Sequence, residues 1–366
     1  MDVPIWEIAM LTSRERVIRT FYHEKTDRIP IDYLANAAID RKLKRHFGLQ
    51  DDDDEGLRQA LRVDFREVTV PYTGPVLHPP VKGLDVDPAW GFRRKWVTHN
   101  WGGYWEFTDF PLADLDMEKA TTWPMPSADD FDYSVVTEQC KRWKDLALYV
   151  GNPGLGDMMN TTGFWCGMEM AYLSVGLKDQ AWLTLIDRRL AIQLEMTERM
   201  LEAARGRIDF MWLGEDLGQQ QGPLISLDSY RELLRPRHQK FVDLARAYNI
   251  PVMFHSCGSS SWAFEDFIDM GIAAIDTLQP EVANMEPAYL KKNYGDRLAF
   301  HGMVSTAGPL ATAPVAEFEK SLRELLDIVM PGGGYFLAPT HEIQDNTPLE
   351  NALALYQRGY EWGWYT

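Results

Sequence analysis

Two stretches of this chain, FMWLGED at residues 210–216 and PVMFHSCG at residues 251–258, decide its fold class. Each is a short apolar run that ends in reactive side chains, and helical stretches lie between such runs. Four further apolar runs are candidate strands, at residues 146–150, 274–278, 298–301 and 335–338. Strands that alternate with helices in this way predict a parallel sheet built from βα units.

The reactive side chains collect just after the candidate strands. An (α/β)₈ barrel assembles its active site from the loops that follow its strands, so this distribution predicts a single TIM barrel over residues 1–366. A doubly wound sheet is the weaker alternative, because no glycine-rich phosphate fingerprint follows the first strand. The side chains at the strand ends are Glu215, Asp216, His255, Cys257, Gln279, His301 and His341.

The stretch from about residue 71 to 132 has a different composition, with recurring proline and glycine and five of the 13 tryptophans. We expect an aromatic-rich insertion of short strands here. Within it, WGGYWEF at residues 101–107 suits a hairpin whose rings pack on the main body, with a ligand-facing wall as the alternative.

Charge and composition exclude several classes of protein. The formal charge of −17 disfavours nucleic acid and anionic membranes as partners. No apolar segment is long enough to span a bilayer, and Met1 to Arg19 has no basic lead or small-residue cleavage site. Three cysteines are too few for a disulfide framework and suit a reducing compartment, so a cytoplasmic location is expected.

His255 and Cys257 are the strongest metal-ligand candidates. They lie two residues apart at the end of an extended run, so their side chains point to the same side. On these two residues alone the signal is weak, because a His and a Cys near each other are more often a core thiol and a capped imidazole. His341, after another strand, is the expected third donor, and three donors with an open position describe a catalytic zinc site. Other candidate ligands are Asp276, Glu281, His301 and Glu342.

The remaining candidates each have a structural alternative. Glu215 and Asp216 are expected to be acids near the substrate or partners of nearby backbone, and His301 is a candidate catalytic group. Gln279 and Gln344 are expected to orient a polar substrate, or to be satisfied buried amides. Phe164 and Trp165 are expected to line an apolar pocket, or to pack in the core.

Several motifs together resemble the uroporphyrinogen decarboxylase superfamily, and more narrowly its cobalamin-dependent, zinc-dependent methyltransferases. They are GEDLG at 214–218, HSCGS at 255–259, GGGYFLAPTH at 332–341, and in the head of the chain RERV at 14–17 and DRIP at 27–30. The resemblance runs over nearly the whole chain and implies a single (α/β)₈ barrel.

Two departures from the superfamily patterns bear on function. Uroporphyrinogen decarboxylases proper carry an Arg-Gln-Ala-Gly-Arg motif after the first strand, where this chain has DYLANA at 32–37, so binding of a tetrapyrrole with many carboxylates is not expected. The methyltransferases use a His-x-Cys pair and a later Cys for zinc, whereas the later position here is His341. One thiolate and two imidazoles make a stronger Lewis acid, which favours removal of a methyl group from an ether or hydroxyl oxygen.

The resemblance therefore implies a methyltransferase that binds zinc and moves a methyl group between a small, methoxylated substrate and a corrinoid carried by a partner protein. Two alternatives remain open. One is a metal-free lyase acting on a carboxylated substrate, and the other is a non-catalytic module that binds metal or corrinoid.

Overall fold

The computed structural model describes residues 10–365, so the expectation for the first nine residues lies outside the described chain. Its strands, in chain order, are β1 (Phe65–Glu67), β2 (Asp85–Val86), β3 (Arg93–His99), β4 (Gly102–Phe107), β5 (Ala147–Gly151), β6 (Phe210–Gly214), β7 (Val252–His255), β8 (Ala274–Asp276), β9 (Ala299–Val304) and β10 (Tyr335–Pro339). The main sheet is parallel and has seven strands in the order β1-β5-β6-β7-β8-β9-β10.

Helices connect these strands, as βα units require. They are α1 (Ser13–Phe21), α2 (Ala37–His46), α3 (Asp54–Ala60), α4 (Met117–Thr122), α5 (Val135–Arg142), α6 (Met159–Cys166), α7 (Met168–Leu177), α8 (Gln180–Ala204), α9 (Leu227–Ser229), α10 (Arg235–Ala247), α11 (Phe264–Met270), α12 (Pro287–Tyr294), α13 (Pro309–Thr312), α14 (Val315–Val329) and α15 (Leu349–Trp362). Among residues 10–365, no helix has the length and apolar character needed to cross a membrane.

All six strands expected from the sequence are present, as β5 to β10, with ends that shift by at most a few residues. The sequence identifies them because they are short apolar runs, and five of them are buried at every position. Strand β1 was not expected from the sequence. It has only three residues, and its middle residue is an arginine, so it lacks an apolar run.

The main sheet is strongly curled, because its two outer strands approach each other. The rings of Phe65 in β1 and Phe336 in β10 have centroids 5.8 Å apart. Between these strands, Ile31 forms an isolated parallel bridge with Leu337, and its carbonyl accepts a hydrogen bond from the backbone N–H of Asp64. The described residues 10–365 thus form a curled parallel α/β sheet of seven strands with isolated bridges, and the complete (α/β)₈ barrel expected from the sequence stays a prediction.

A separate antiparallel sheet, β2-β3-β4, lies within the aromatic-rich stretch. It contacts the rest of the chain through Phe107, which stacks on Phe164 with ring centroids 3.7 Å apart. Trp101, Tyr104 and Trp105 were expected to pack on the main body, but they are about half exposed. Successive residues of a strand face opposite sides, so the exposure of both Tyr104 and Trp105 means that both faces of this hairpin meet solvent over part of its length.

The start of the chain is held against the sheet by a buried ion-pair network. A capping box formed by Thr12 and Glu15 begins α1. From α1, Arg16 pairs with Asp64 at 2.8 Å, and Asp64 also pairs with Arg28 at 2.8 Å. Because Asp64 directly precedes β1, this network fixes the entry to the curled sheet.

Candidate functional site

Polar side chains meet where β6, β7 and β8 end. The register pairs Gly214 with His255 and His255 with Asp276, so the three strand ends lie side by side. Asp216 follows β6, Cys257 follows β7, and Asp276 ends β8. The carboxyl ends of parallel strands are where α/β folds bind ligands, so this edge of the sheet is the candidate functional site.

Asp216, His255 and Cys257 form a group of ligand atoms that all lie within 4.8 Å of one another, the single group of this kind in residues 10–365. His255 Nε2 lies 3.3 Å from Cys257 Sγ and 3.5 Å from Asp216 Oδ1. A nitrogen, a sulfur and an oxygen that face one point are a donor set that zinc accepts.

Asp216 is fixed by two further hydrogen bonds. Its Oδ1 accepts from the backbone N–H of Cys257 at 2.9 Å, and its Oδ2 accepts from Asn160 Nδ2 at 2.8 Å. Burial alone would raise the pKa of Asp216, but the hydrogen bonds from His255, Cys257 and Asn160 together with the charge on His255 hold it well below its usual value. Asp216 is therefore an ionised, oriented carboxylate beside the His255 ring.

The other side of the His255 ring is also held. Its Nδ1 lies 2.6 Å from Asp276 Oδ2 and 2.7 Å from Thr277 Oγ1. A carboxylate only accepts hydrogen bonds, so Nδ1 carries the proton that it donates to Asp276. Nε2 therefore faces Cys257 and Asp216. Thr277 has φ of +66°, which is strained for a β-branched residue and is a kind of strain found at functional sites.

For both His255 and Cys257, burial shifts the pKa in one direction and a neighbouring group shifts it in the other. Burial disfavours the charged form of His255, but the charges of Cys257 and Asp276 raise its pKa well above its usual value. Burial raises the pKa of the Cys257 thiol, and the neighbouring His255 partly offsets that increase. Both groups therefore favour their protonated forms, and a metal ion that binds here would displace the proton of the Cys257 thiol and that of His255 Nε2.

Below this group, Asp276 is shared by two histidines. Its Oδ1 lies 2.6 Å from His301 Nδ1, and His301 Nε2 lies 3.1 Å from Asp32 Oδ2. The His301 side chain is fully buried, against the rings of Phe65 and Trp212. The predicted catalytic residue His301 thus lies in the interior of the curled sheet, one carboxylate away from His255.

Glu215 points away from this group. Its carboxylate accepts hydrogen bonds from the backbone N–H groups of Met158 and Met159, at 2.8 and 3.1 Å, where α6 begins. Burial raises its pKa to about 8. The role of Glu215 as an acid near the substrate stays a prediction, and its visible role is to hold the start of α6.

The predicted third ligand His341 is not brought into the group. Its side chain is exposed in the loop after β10, whereas its neighbour Thr340 is buried and accepts a hydrogen bond from the backbone N–H of Thr306 at 3.2 Å. Because Thr340 takes the inward position, the chain turns His341 outward. Asp216, predicted as an acid, occupies the place expected for the third donor.

The four predicted substrate-binding residues all have partners within the protein. Gln279 Oε1 accepts from the backbone N–H of Gly258 at 2.8 Å, so it supports the loop that carries Cys257. Gln344 Nε2 donates to the carbonyl of Glu342 at 2.7 Å. Trp165 is fully buried, and Phe164 packs on the hairpin. Their substrate contacts stay predictions.

Sequence reasoning assigned no role to Asp32, Asn160 or Thr277, and it treated Asp276 as a ligand candidate. Asp276 and Thr277 could have been found from the strand order, because they end the strand next to β7. Asp32 lies at the start of DYLANA, the segment that replaces the Arg-Gln-Ala-Gly-Arg motif, whereas no sequence signal identifies Asn160.

Fold and site together define an α/β protein with a curled parallel sheet and a histidine, cysteine and aspartate group at its strand ends. The sequence model of the uroporphyrinogen decarboxylase (URO-D) family matches residues 179–362, and the chain belongs to this family. The match includes the end of β6, β7 and β8, and therefore the whole candidate metal group. The predicted membership is confirmed.

A solved structure, a methyltransferase from Methanosarcina mazei, resembles this chain over 96% of its length and 99% of the length of that protein. The TM-score is 0.61 and the sequence identity is 19%, so the likeness concerns the fold. A search of curated proteins found no match.

Proposed function

We propose that this chain is a metal-dependent methyltransferase that moves a methyl group between a small substrate, such as a methoxylated compound, and a corrinoid carried by a partner protein. The observation that carries the proposal is the convergence of Asp216, His255 and Cys257, whose ligand atoms lie within 4.8 Å of one another. The fold likeness to a methyltransferase is consistent with it.

The residues present fit a zinc ion. Zinc is bound in proteins by histidine nitrogen, cysteine sulfur and carboxylate oxygen. A catalytic zinc site has three protein ligands and one open position. A zinc ion held in this way supplies Lewis acidity at the atom that gains or loses the methyl group. Asp276 would keep the proton of His255 on Nδ1, and Asn160 would keep Asp216 turned toward the other two donors.

The proposal changes the charge expected from the sequence. One thiolate, one carboxylate and one neutral imidazole leave Zn²⁺ formally neutral, whereas the set with His341 would leave it at about +1, so the preference for an oxygen-bound methyl group, which follows from the +1 charge, depends on His341. His341 stays a predicted ligand, and its role is tested below beside that of Asp216.

Metal analysis of purified protein tests the central premise. We expect about one zinc ion per chain in the wild type and a large loss of zinc in Cys257→Ser and Asp216→Asn. Cys140→Ser is the matched control, because Cys140 is a buried free cysteine outside the metal group. Equal, near-zero metal in the wild type and all variants would remove the proposal, and retention of zinc in Asp216→Asn with loss in His341→Ala would restore the ligand set expected from the sequence.

Corrinoid dependence needs its own assay. We expect that mixing the metal-loaded protein with cob(I)alamin and a panel of methoxylated compounds gives the absorption change to methylcobalamin, and that a chelator abolishes it. No reaction across the panel, or turnover of a carboxylated substrate that is unaffected by the chelator, would instead support the metal-free lyase.

A further inference from the structure

A continuous row of buried polar groups leads from the candidate metal group into the interior of the sheet. Its members are His255, Asp276, His301 and Asp32, joined by contacts of 2.6, 2.6 and 3.1 Å. All four residues are at most 9% exposed. They come from β7, β8, β9 and the segment that bridges β10, so the row crosses nearly half of the sheet.

His301 lies between two carboxylates. Both of its ring nitrogens face oxygens that can only accept, so both must donate, and His301 is an imidazolium. Burial disfavours this cation, but Asp276 and Asp32 raise the pKa of His301 to about 9. The positive charge therefore belongs to the interior of the sheet, one carboxylate away from the metal group.

Asp276 has no freedom left to reorient. One oxygen accepts from His255 and the other accepts from His301, and both contacts are 2.6 Å long. Without His301, Asp276 could rotate or take up water, and the His255 ring would keep only Thr277 Oγ1, 2.7 Å from Nδ1, as a fixed partner. Orientation of the His255 ring thus depends on His301, which does not touch that ring.

We propose that His301 and Asp32 are positioning residues for the candidate metal centre: held between Asp32 and Asp276, His301 locks Asp276, which aims His255 Nε2 at Cys257 and Asp216. This inference rests on the proposed metal function and assigns His301 a role other than the acid–base catalysis expected from the sequence. Complete burial of its ring supports this assignment, because no substrate atom can reach it without a rearrangement of the interior.

The two links can be broken separately. The variant Asp32→Asn keeps the shape of the side chain. In the wild type, Asp32 Oδ1 accepts a hydrogen bond from the backbone N–H of Tyr33 at 2.8 Å, and the amide oxygen of the variant can accept the same bond. The amide nitrogen then faces His301 Nε2, which must become an acceptor. His301 becomes neutral but still donates from Nδ1 to Asp276. In His301→Asn, the shorter side chain cannot span both carboxylates.

The test is competition for zinc between the protein and a chromophoric chelator, for the wild type, Asp32→Asn and His301→Asn. Loss of a group that orients a metal-binding histidine lowers metal affinity about 10- to 100-fold, and we expect this for His301→Asn, with a smaller loss for Asp32→Asn. His78→Asn is the control, because His78 is also a buried histidine but stacks on Trp123 in the aromatic-rich stretch.

Cobalt(II) substitution separates positioning from general loss of structure. We expect the ligand-field absorption of the cobalt-loaded variants to change while their far-UV circular dichroism stays that of the wild type. Wild-type zinc affinity and an unchanged cobalt spectrum in both variants would overturn the inference while leaving the metal site intact. If His301→Asn fails to fold, Asp32→Asn decides alone. Failure of the wild type to bind zinc would instead refute the proposed function.

Discussion

The imidazolium of His301 makes a specific prediction for stability against pH. Its pKa is about 9 in the folded chain, against an ordinary value of 6.5. A shift of that size corresponds to about 3 kcal/mol of folding free energy. Because the folded-state pKa is raised, this stabilisation is fully present below about pH 6.5 and is lost as pH rises through 9.

His301→Asn isolates this contribution, since all other titratable groups are common to both proteins. The quantity to compare is the difference in free energy of unfolding between the wild type and the variant. We expect this difference to be about 3 kcal/mol larger at about pH 6 than at about pH 10. Urea unfolding followed by circular dichroism, with a chelator present to keep both proteins free of metal, measures the difference at each pH.

Asp32→Asn provides a graded comparison. It removes one of the two carboxylates that stabilise the imidazolium, so the pH at which the stabilisation disappears should move to lower values. A difference between the wild type and His301→Asn that stays constant from about pH 6 to about pH 10 would refute the assignment of a buried cation between Asp32 and Asp276.

Two further changes test the frame of the sheet, each followed by thermal unfolding. Gly334 and Gly332 both have positive φ, but a Cβ at Gly334 would lie 2.2 Å from the His23 ring, whereas a Cβ at Gly332 would meet no atom within 4 Å. Gly334→Ala should therefore cost about 1–3 kcal/mol more stability than Gly332→Ala. Equal losses would show that the His23 ring moves aside. Asp64→Asn should cost about 3–5 kcal/mol, because it leaves two buried arginines without their shared carboxylate, and a loss below about 1 kcal/mol would contradict this network.

The parallel sheet could be predicted from the sequence because its strands are short, buried apolar runs. The three-residue β1 could not, since it has no apolar run and is defined by its backbone pairing with β5 rather than by a local pattern. The exposed rings of the hairpin could not be predicted either, because Tyr104 and Trp105 face opposite sides of β4 and both meet solvent, which the aromatic composition of the stretch does not indicate.

The residues of the candidate metal group, like the strands, could be predicted only in part from the sequence. His255 and Cys257 could be predicted because both lie on one strand end, where a spacing of two residues fixes their relation. The third donor had to come from another strand, and sequence spacing carries no information about which one. His341 and Asp216 both follow strand ends, and sequence spacing alone makes all strand ends around the sheet look equally close.

The strand order places the strand ends at different distances from the end of β7. β6 is the direct neighbour of β7, so their ends lie about 4.8 Å apart, whereas β10 is three strands away, about 14 Å along the sheet. Curling shortens that path, but His341 would still need its loop to fold across the open edge, whereas its side chain is exposed and its neighbour Thr340 is hydrogen-bonded to Thr306. Asp216 reaches His255 directly from the adjacent strand. A donor set within a parallel sheet should therefore be sought first on the two strands beside the one that carries the paired ligands, and the zinc contents of Asp216→Asn and His341→Ala compare the two choices in this chain.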